Sequence, residues 1–547
     1  SYNIDFNTKI SKNELDKLID NGIIYLFQIK NQDYNKNKKP GFKKNLHTIY
    51  WENVFKDIEN RPKLNGEAEI FYRPALSPDK LEKTKDKNNK EIIKNFRFSK
   101  EKFLFHVSIT LNLNRKQTDI NKKIKDLLKQ SKDVYFLGID RGENHLAYYS
   151  LIDSNSKIIK QGTLNLPFTD KDGKPRTIKA EKRTSEGNVK IVECKDYNDL
   201  LDARAENRDF ARKNWQTIEN IKDLKNGYIS KVIHEIINLT ITEDKFTFIV
   251  LEDLNIGFKR GRQKIEKSVY QNLELALAKK LNFIVDKNAT LSELGSTTNA
   301  IQLTPLVNNF GDIEKRKQFG NMLYVRADYT SQTDPITGWV KTIYIKKGSE
   351  KAIRDRIKKS FSDINFDGKN YIFEYKDSNN KKWKLYSGLD RYYRERNNKG
   401  VWISTKQNTT ELLNKIFKNI DKTKSIYNQI INQDKKLEKI SKHTAWESLR
   451  FTIHLIQQIR NQDEDKNDFI LSPIRNEQGE HFDSRKAKNN EPNCGDANGA
   501  FNIARKGIIV SKHIKKGIKK LYIRDDEWRA WLAGKKTWEN WLKKELK

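Results

Sequence analysis

The chain has 547 residues, of which 36% are hydrophobic, and this length and composition predict several globular domains. Lysine and arginine outnumber aspartate and glutamate by 107 to 73, a formal net charge of +34, so the expected partner is a polyanion such as nucleic acid. The sequence has no long apolar run and no signal-peptide pattern, which argues against a membrane partner and favours the cytoplasm. Its two cysteines, Cys194 and Cys494, are too few for a disulfide scaffold or a zinc ribbon.

The first section of the chain is predicted to be rich in β-strands. Residues 103–113 alternate between apolar and polar side chains almost without fault, which is typical of a half-buried strand. Shorter strand candidates lie at residues 25–29 and 69–72. The lysine-rich connection between Pro74 and Lys94 is interpreted either as a solvated loop or as a contact for a phosphate backbone.

A buried strand is predicted at residues 134–140, where an apolar run ends on the carboxylate of Asp140 and a turn follows at Gly142. Two further strands, at residues 145–153 and 157–164, are expected to follow as hairpins. A strand with two hairpin-linked strands after it is typical of the opening of an RNase H-like nuclease core. A turn-capping aspartate is the simpler interpretation of Asp140 taken alone.

Two later segments supply further acids. Residues 245–251 form a second apolar run that ends on Glu252, and Gly495 opens a predicted helix that carries Asp496. The small residues of that helix would let it lie close against a sheet. Acids from three distant segments can converge only through tertiary folding. If they converge, they form a carboxylate set of the kind that holds divalent metal in nucleases.

Residues 204–239 are predicted to form a helix with two different halves. The second half repeats isoleucine and valine at helical spacing and is expected to be buried. The first half is basic and carries Arg212 and Trp215, so it is expected to run beside a nucleic-acid backbone, and Gly227 is a candidate break between the halves. A basic loop follows at residues 257–262, and its arginines are expected to contact phosphate.

From about residue 348 to 492 the pattern changes to mixed α/β, with paired strands predicted at residues 371–375 and 383–386. A helix predicted over residues 443–460 ends at Arg460, and an arginine at a helix end most often complements the dipole and is solvated. Because this section lies between the second and third acids, it is interpreted as an inserted domain. Four later tryptophans predict a packed cap on the core: Trp528, Trp531, Trp538 and Trp541.

Several motifs, in one order along the chain, resemble those of the type V-A CRISPR RNA-guided DNA endonucleases, the Cas twelve-a or Cpf-one family. They are GIDRGENHLAYYSLID, ARKNWQTIENIKDLKNGYISKVIHEI, VLEDLNIGFKRGR, FILSPI and GDANGAFNIARKG. Four earlier motifs, YLFQIKN, NLHTIYW, KLNGEAEIFYR and KFLFHVSIT, resemble the last wedge-domain segment of that family. The resemblance covers nearly the whole chain. It implies a C-terminal half, with the recognition lobe and the PAM-interacting domain expected before Ser1.

The resemblance implies an α/β fold in which an RNase H-like (RuvC) core is split into three segments, with a β-rich wedge segment before it and an inserted mixed α/β Nuc domain. The implied boundaries are 1–132 for the wedge segment, 133–203 for RuvC segment I, 204–226 for a bridge helix, 227–347 for RuvC segment II, 348–492 for the Nuc domain and 493–547 for RuvC segment III.

The resemblance also assigns roles to residues. Asp140, Glu252 and Asp496 would be the RuvC carboxylates, which hold two Mg²⁺ ions, with Mn²⁺ as a substitute, and Arg460 would be the functional arginine of the Nuc domain. The implied partners are a guide RNA, a double-stranded DNA target and its displaced single strand, in the prokaryotic cytoplasm. The candidate nucleic-acid contacts are Lys94, Arg212, Trp215, Lys259, Arg260, Arg262 and Asn461.

Two departures from the family pattern stand out. Cys494 occupies the position, two residues before Asp496, where the family commonly has a further aspartate. Lys94 matches one lysine of the family's guide-RNA processing site, but residues 74–91 contain no histidine for it.

Two alternatives remain, a nucleic-acid-binding protein of this fold without activity and a transposon-encoded RNA-guided nuclease. The three carboxylates argue against the first, and the wedge motifs against the second.

Overall fold

The computed structural model divides the chain into two compact units, residues 1–118 with 280–303, and residues 119–279 with 304–547. No helix among its described residues is long and apolar enough to cross a membrane. The described residues are 11–23, 33, 44–46, 48–50, 63–85, 89–93, 98–110, 120–130, 133–141, 147–170, 174–183, 188–196, 199–200, 203, 221–241, 245–253, 267–290, 292–297, 299–314, 317–326, 328–396, 402–440, 444–465 and 467–545.

The first unit contains a helix, Lys12–Asp20, that begins with a capping box formed by Ser11 and Glu14. Its strands are β1 (Lys63–Arg73), β2 (Lys83–Lys85), β3 (Glu91–Ile93) and β4 (Lys102–Thr110). β1 pairs with β4 and β2 with β3, both antiparallel. The strands predicted at residues 69–72 and 103–113 are therefore confirmed in large part. The lysine-rich connection contains a hairpin, while the predicted strand at residues 25–29 lies outside the described residues.

A mixed six-stranded sheet organises the second unit. Its order is β11-β12-β10-β5-β6-β7, in which β5, β10 and β12 run parallel and the remaining pairs are antiparallel. This order fits the predicted α/β, RNase H-like fold. The strands are β5 (Tyr135–Asp140), β6 (Tyr148–Ile152), β7 (Ile158–Thr163), β10 (Thr247–Glu252), β11 (Gln318–Phe319) and β12 (Met322–Val325). A separate hairpin, β8 (Ile178–Arg183) with β9 (Val189–Cys194), lies between β7 and β10 in the chain.

The helix Gly495–Lys516 packs against the centre of this sheet. A Cβ atom added at Gly138 of β5 would overlap the backbone of Ala500 and Ala504, so the two elements approach closely enough that the strand position requires glycine. Cys494 caps the start of this helix, where its thiol accepts from the amide of Ala497, and Gly517 caps the end in the left-handed conformation. We call it the Asp496 helix.

The sheet and the Asp496 helix share one hydrophobic core with the C-terminal helices Asp525–Leu532 and Lys535–Glu545. Trp528 and Trp538 are buried in it, and Trp531 and Trp541 pack against it, which confirms the predicted tryptophan cap. The helix Ile120–Gln130 also packs here, through Ile120, Ile124 and Leu128. This helix precedes the boundary predicted at residue 132, and its apolar face places it in the core of the second unit.

The helix Ile221–Ile241 also belongs to the second unit and runs through Gly227 without interruption. The break predicted at that glycine is wrong. Its isoleucine-rich second half is buried, as the spacing predicts. Burial of that apolar face outweighs the roughly 1 kcal/mol that glycine costs a helix. The helices Lys267–Asn282 and Gly311–Glu314 follow later in the chain.

A separate hydrophobic core is formed by the section predicted to be mixed α/β, together with Trp339 and Ile343 just before it. Its helices are Glu350–Ser360, Thr409–Ile416 and Ala445–Ile456. Its strands are β13 (Asp363–Phe366), β14 (Tyr371–Lys376), β15 (Lys382–Tyr386), β16 (Asp390–Arg396), β17 (Trp402–Asn408), β18 (Arg460–Gln462), β19 (Asp468–Arg475) and β20 (His481–Asp483). The predicted pairing of β14 with β15 is confirmed. We call this section the inserted segment.

One element of the inserted segment differs from its prediction. The helix expected over residues 443–460 spans Ala445–Ile456, begins at the Thr444 cap, and ends before Arg460. Arg460 instead starts strand β18, where it pairs with Ile470 of β19. The apolar spacing continues to Ile459, which is buried, so periodicity alone extends the helix too far. The pairing of β18 with β19 decides the local structure here.

Candidate active site

Two of the three predicted acids lie side by side at one edge of the sheet. β5 and β10 are parallel neighbours in which Ile139 pairs with Leu251, so the next residues, Asp140 and Glu252, end their strands together. Their side chains are only 7% and 9% exposed. Two strand-end carboxylates are thus held next to each other in a buried position by backbone pairing.

The third acid reaches the same place from the Asp496 helix. Asp496 lies in the first turn of that helix and is 2% exposed. One turn further along, a Cβ atom added at Gly499 would overlap the Asp140 carboxylate. Asp140 therefore rests directly against the helix backbone, one turn from Asp496. The structure brings together the three carboxylates that the sequence singled out.

Charge and burial act strongly on Asp140. Burial raises the pKa of its carboxyl well above the ordinary value, and the neighbouring charges of Glu252 and Asp496 raise it further. The positive charges of Arg460 and Arg141 act in the opposite direction and lower the pKa of this carboxyl, but by less than burial and the two acids raise it. The acids are therefore electrostatic neighbours, and nearby positive charge offsets their mutual repulsion.

Arg141 provides part of that positive charge. Its Nε and Nη2 atoms donate to Oε2 of Glu252, at 2.8 Å and 2.6 Å. Its guanidinium also lies over the ring of Tyr270, 5.3 Å from the centroid. Burial raises the pKa of the Tyr270 hydroxyl, so this side chain is neutral at the site. Arg141 follows Asp140 directly in the chain, which places it beside both strand ends.

Arg460 provides further positive charge, from the inserted segment. Its Nη2 donates to Asp496 Oδ1 at 2.8 Å, while Nε and Nη2 donate to the two oxygens of Asp468 at 2.8 Å and 3.0 Å. One planar guanidinium therefore joins the carboxylates of the inserted segment and of the Asp496 helix. The expectation of a solvated arginine at a helix end is wrong, because Arg460 lies on a strand and is ion-paired.

Asp468 is a fourth acid that the sequence analysis missed. Burial raises the pKa of its carboxyl, and Arg460 opposes this shift. A Cβ atom added at Gly495, where the Asp496 helix begins, would overlap this carboxylate, so glycine is required for the close approach. The available signal was its position immediately before the FILSPI motif, but an acid before a strand is common and does not reveal its partner.

The remaining predicted site residues do not join this cluster in the described structure. Asn461 is 2% exposed, and its amide is hydrogen-bonded to Ile459, Gln458 and Tyr392. Pairing of β18 with β19 turns most of this side chain into the fold. Its role as a nucleic-acid contact stays a prediction. Six others lie outside the described residues: Lys94, Arg212, Trp215, Lys259, Arg260 and Arg262.

The chemistry of the cluster fits a hard divalent cation. Carboxylate oxygens are the preferred ligands of Mg²⁺, and a cation would offset the like charges that raise the Asp140 pKa. Within the described part of the chain, however, no three His, Cys, Asp or Glu side chains are grouped so as to hold a metal ion. Two of the acids instead direct oxygens at the arginines. Binding of metal would require at least one of these ion pairs to rearrange.

Comparison with known protein families bears on the whole of this region. Residues 114–542 match the RuvC nuclease domain. The match spans well over half of the chain and includes Asp140, Glu252, Arg460, Asp468 and Asp496. It therefore contains the core around the mixed sheet, the core of the inserted segment and every side chain of the candidate site.

Proposed function

The chain belongs to the RuvC nuclease domain family, and on that premise we propose that it is the nuclease half of a CRISPR RNA-guided DNA endonuclease. It hydrolyses phosphodiester bonds of both DNA strands at one site, formed by Asp140, Glu252 and Asp496. The family match supports cleavage of nucleic acid. The guide RNA, the DNA target and its displaced strand are proposed from the resemblance of the sequence motifs and from the net charge of +34.

One observation carries the proposal of the site. Three acids from segments far apart in the chain meet in a buried cluster, where burial and like charge raise the pKa of Asp140. Such a cluster is unfavourable for folding unless positive charge offsets it. An acid whose pKa is strongly raised by burial and by neighbouring charges is typical of a catalytic site. A purely structural set of strand-end acids would have been solvated or capped separately.

The roles of the residues follow from their positions. Asp140, Glu252 and Asp496 would hold two Mg²⁺ ions, or Mn²⁺ in their place. When bound, such ions supply a hydroxide nucleophile and stabilise the leaving oxygen. Arg141 orients Glu252 and offsets its charge. Arg460 orients Asp496, and its planar fork can transfer from a carboxylate to a backbone phosphate, because the two anions match it in geometry.

Substitution of the three acids tests the site. We expect Asp140→Ala, Glu252→Ala and Asp496→Ala each to reduce cleavage of single-stranded DNA in Mg²⁺ by about a thousandfold or more, since several kcal/mol of charge stabilisation are lost. Asp133→Ala is the matched control. Asp133 lies just before β5, its side chain is 76% exposed, and it should leave the rate unchanged. Gel analysis of end-labelled strands measures all four rates.

Metal binding is measured separately from cleavage. Mg²⁺ and Mn²⁺ should raise the melting temperature of the wild-type chain and of Asp133→Ala, but not of Asp496→Ala. Wild-type cutting by any of the three alanine variants would rule out the assignment. Guidance is tested with the full-length protein, in which a matching guide RNA should direct cuts to both strands of one duplex and a mismatched guide should not.

A further inference from the structure

A pocket of about 440 Å³ opens on the inserted segment, directly beside the carboxylate cluster. Its walls come from the hairpin β16–β17, the end of the helix Ala445–Ile456 and strand β18. The residues that matter for its chemistry are Tyr392, Tyr393, Phe451, Gln458, Arg460 and Asp468. Its volume lies within the range of pockets that bind small organic ligands. The roles proposed above for the site leave this pocket unused.

Aromatic rings form much of the wall. Tyr393 and Phe451 meet edge to face, with centroids 5.3 Å apart and planes at 87°. Tyr392 packs in the same manner against Phe469, at 5.9 Å and 88°. All three pocket rings are half-buried, so each is fixed by a neighbour yet keeps a part open to the pocket. Rings held in this way are ready to stack on a planar ligand without further ordering.

Polar groups accompany the rings. The amide nitrogen of Gln458 donates to the backbone oxygen of Tyr392 and to Asn461, so the side chain is held in place. Among the described residues its carbonyl oxygen accepts no hydrogen bond. The hydroxyl of Ser404, also on the wall, donates to Gln462 and keeps its lone pairs as acceptors. A planar ligand with hydrogen-bond donors on its edge fits such a lining.

The pocket shares a side chain with the candidate active site. Arg460 lines the pocket, and its Nη2 is 2.8 Å from Asp496 Oδ1. Asp468, the second partner of this guanidinium, lines the pocket too. A group in the pocket is therefore one side chain away from the acids. If a phosphate of a nucleic-acid strand lies at the acids, the base attached to a neighbouring nucleotide is the group that can reach the pocket.

From these observations we propose that the pocket binds one unpaired nucleobase of the strand that is cut, next to the scissile phosphate. This assignment rests on the proposed nuclease function. A base inside a duplex is stacked on both faces and cannot place a face against these rings, so the ligand is single-stranded or flipped out. Stacking is tolerant of sequence because every base has an aromatic face. The pocket thus positions a strand without selecting a sequence.

The experiment measures binding of a fluorescein-labelled thymidine dodecamer in EDTA, where no cleavage occurs. Tyr393→Leu and Phe451→Leu should each weaken binding by about fivefold to a hundredfold, since stacking on one base contributes 1–3 kcal/mol. Tyr393→Phe keeps the ring and should bind like the wild type. Tyr344→Leu is the matched control, because Tyr344 is 50% exposed and lies outside the pocket. Two separate leucine variants keep the test valid if one of them fails to fold.

A set of dodecamers, each with one abasic position, distinguishes the pocket from a general loss of affinity. One abasic position should weaken wild-type binding as much as Tyr393→Leu does, and it should weaken the variant no further. If the abasic position weakened binding equally in the wild type and in Tyr393→Leu, the proposal would be overturned. A thymidine monophosphate that binds as tightly as the dodecamer would also overturn it, by placing a free nucleotide in the pocket. Because EDTA prevents cleavage, this binding test does not depend on activity. A chain that cuts no DNA but shows the non-additive loss of affinity would contradict the proposed nuclease function and still support the proposed nucleobase pocket.

Discussion

The core around the mixed sheet and the core of the inserted segment contribute to the candidate site in different ways. The core around the mixed sheet supplies Asp140, Glu252 and Asp496, each placed by backbone contacts at a strand end or in a helix turn. The inserted segment supplies Arg460 and Asp468, which reach the site through side-chain ion pairs. The acids should therefore be sensitive to small backbone shifts. The inserted segment should adjust the reaction without being needed for the acids to meet.

The largest effect in this comparison is expected from the contact between the Asp496 helix and Asp140. In Gly499→Ala the new methyl would overlap the Asp140 carboxylate, and displacing it by about 1 Å can reduce cleavage by about a hundredfold. Gly227→Ala is the matched control, also a helical glycine, with no atom within 4 Å of an added Cβ. It should cut normally and gain about 0.5–1 kcal/mol of stability.

Cleavage rates and chemical denaturation of both variants measure these effects. Normal cleavage by a folded Gly499→Ala protein would show that Asp140 does not need its present position. Backbone placement of the acids would then be no more critical for cleavage than the ion pairs of the inserted segment.

A smaller effect, selective for one strand, is expected from Arg460. Arg460→Ala should slow cutting of the target strand about tenfold more than cutting of the other strand, since one charge-assisted hydrogen bond contributes roughly 1.5–3 kcal/mol. Arg460→Lys keeps the charge but loses the planar fork. Its rate of target-strand cutting should lie between those of the wild type and Arg460→Ala. Arg485→Ala is the control, because this arginine pairs with Asp483 and its side chain is 51% exposed. Strand-specific end labels on one duplex separate the two rates.

The result for Arg460 also sharpens the comparison. Equal slowing of both strands would mean that Arg460 acts by orienting Asp496, through the ion pair at 2.8 Å, and does not guide a particular strand. Near-normal rates on both strands would mean that neither role is needed for cleavage.

The smallest effect concerns stability. The folded-state pKa of Asp140 is raised, so the free energy that its proton contributes is fully present below about pH 3.9 and is lost as the pH rises through the folded pKa. Asp140→Asn has no charge to bury and should therefore be more stable than the wild type in EDTA at neutral pH. The difference should vanish near pH 3.

Urea denaturation of both proteins across this pH range measures the difference. Added Mg²⁺ should stabilise the wild type more than Asp140→Asn and so narrow the gap at neutral pH. A variant less stable than the wild type at every pH would contradict the electrostatic account of the cluster.

The sequence by itself determined the elements that carry the acids. Apolar runs ending on Asp140 and Glu252, and a helix opening rich in small residues before and after Asp496, are local patterns, and local patterns predict strands and helices well. The α/β character of the chain and the tryptophan cap followed from the same kind of signal. The motifs also indicated that Arg460 has a function, although its place at a helix end was wrong.

Only the tertiary structure decided which charged groups meet. Arg460 and Asp468 lie on paired strands, and Asp496 is distant from both in the chain, so no spacing in the sequence reveals their ion pairs. The burial of Asn461, the overlap that requires glycine at Gly499 and the aromatic pocket have the same origin. Each depends on packing between elements that are separate in the chain and meet in the folded protein. Such contacts leave no periodic signal along the chain.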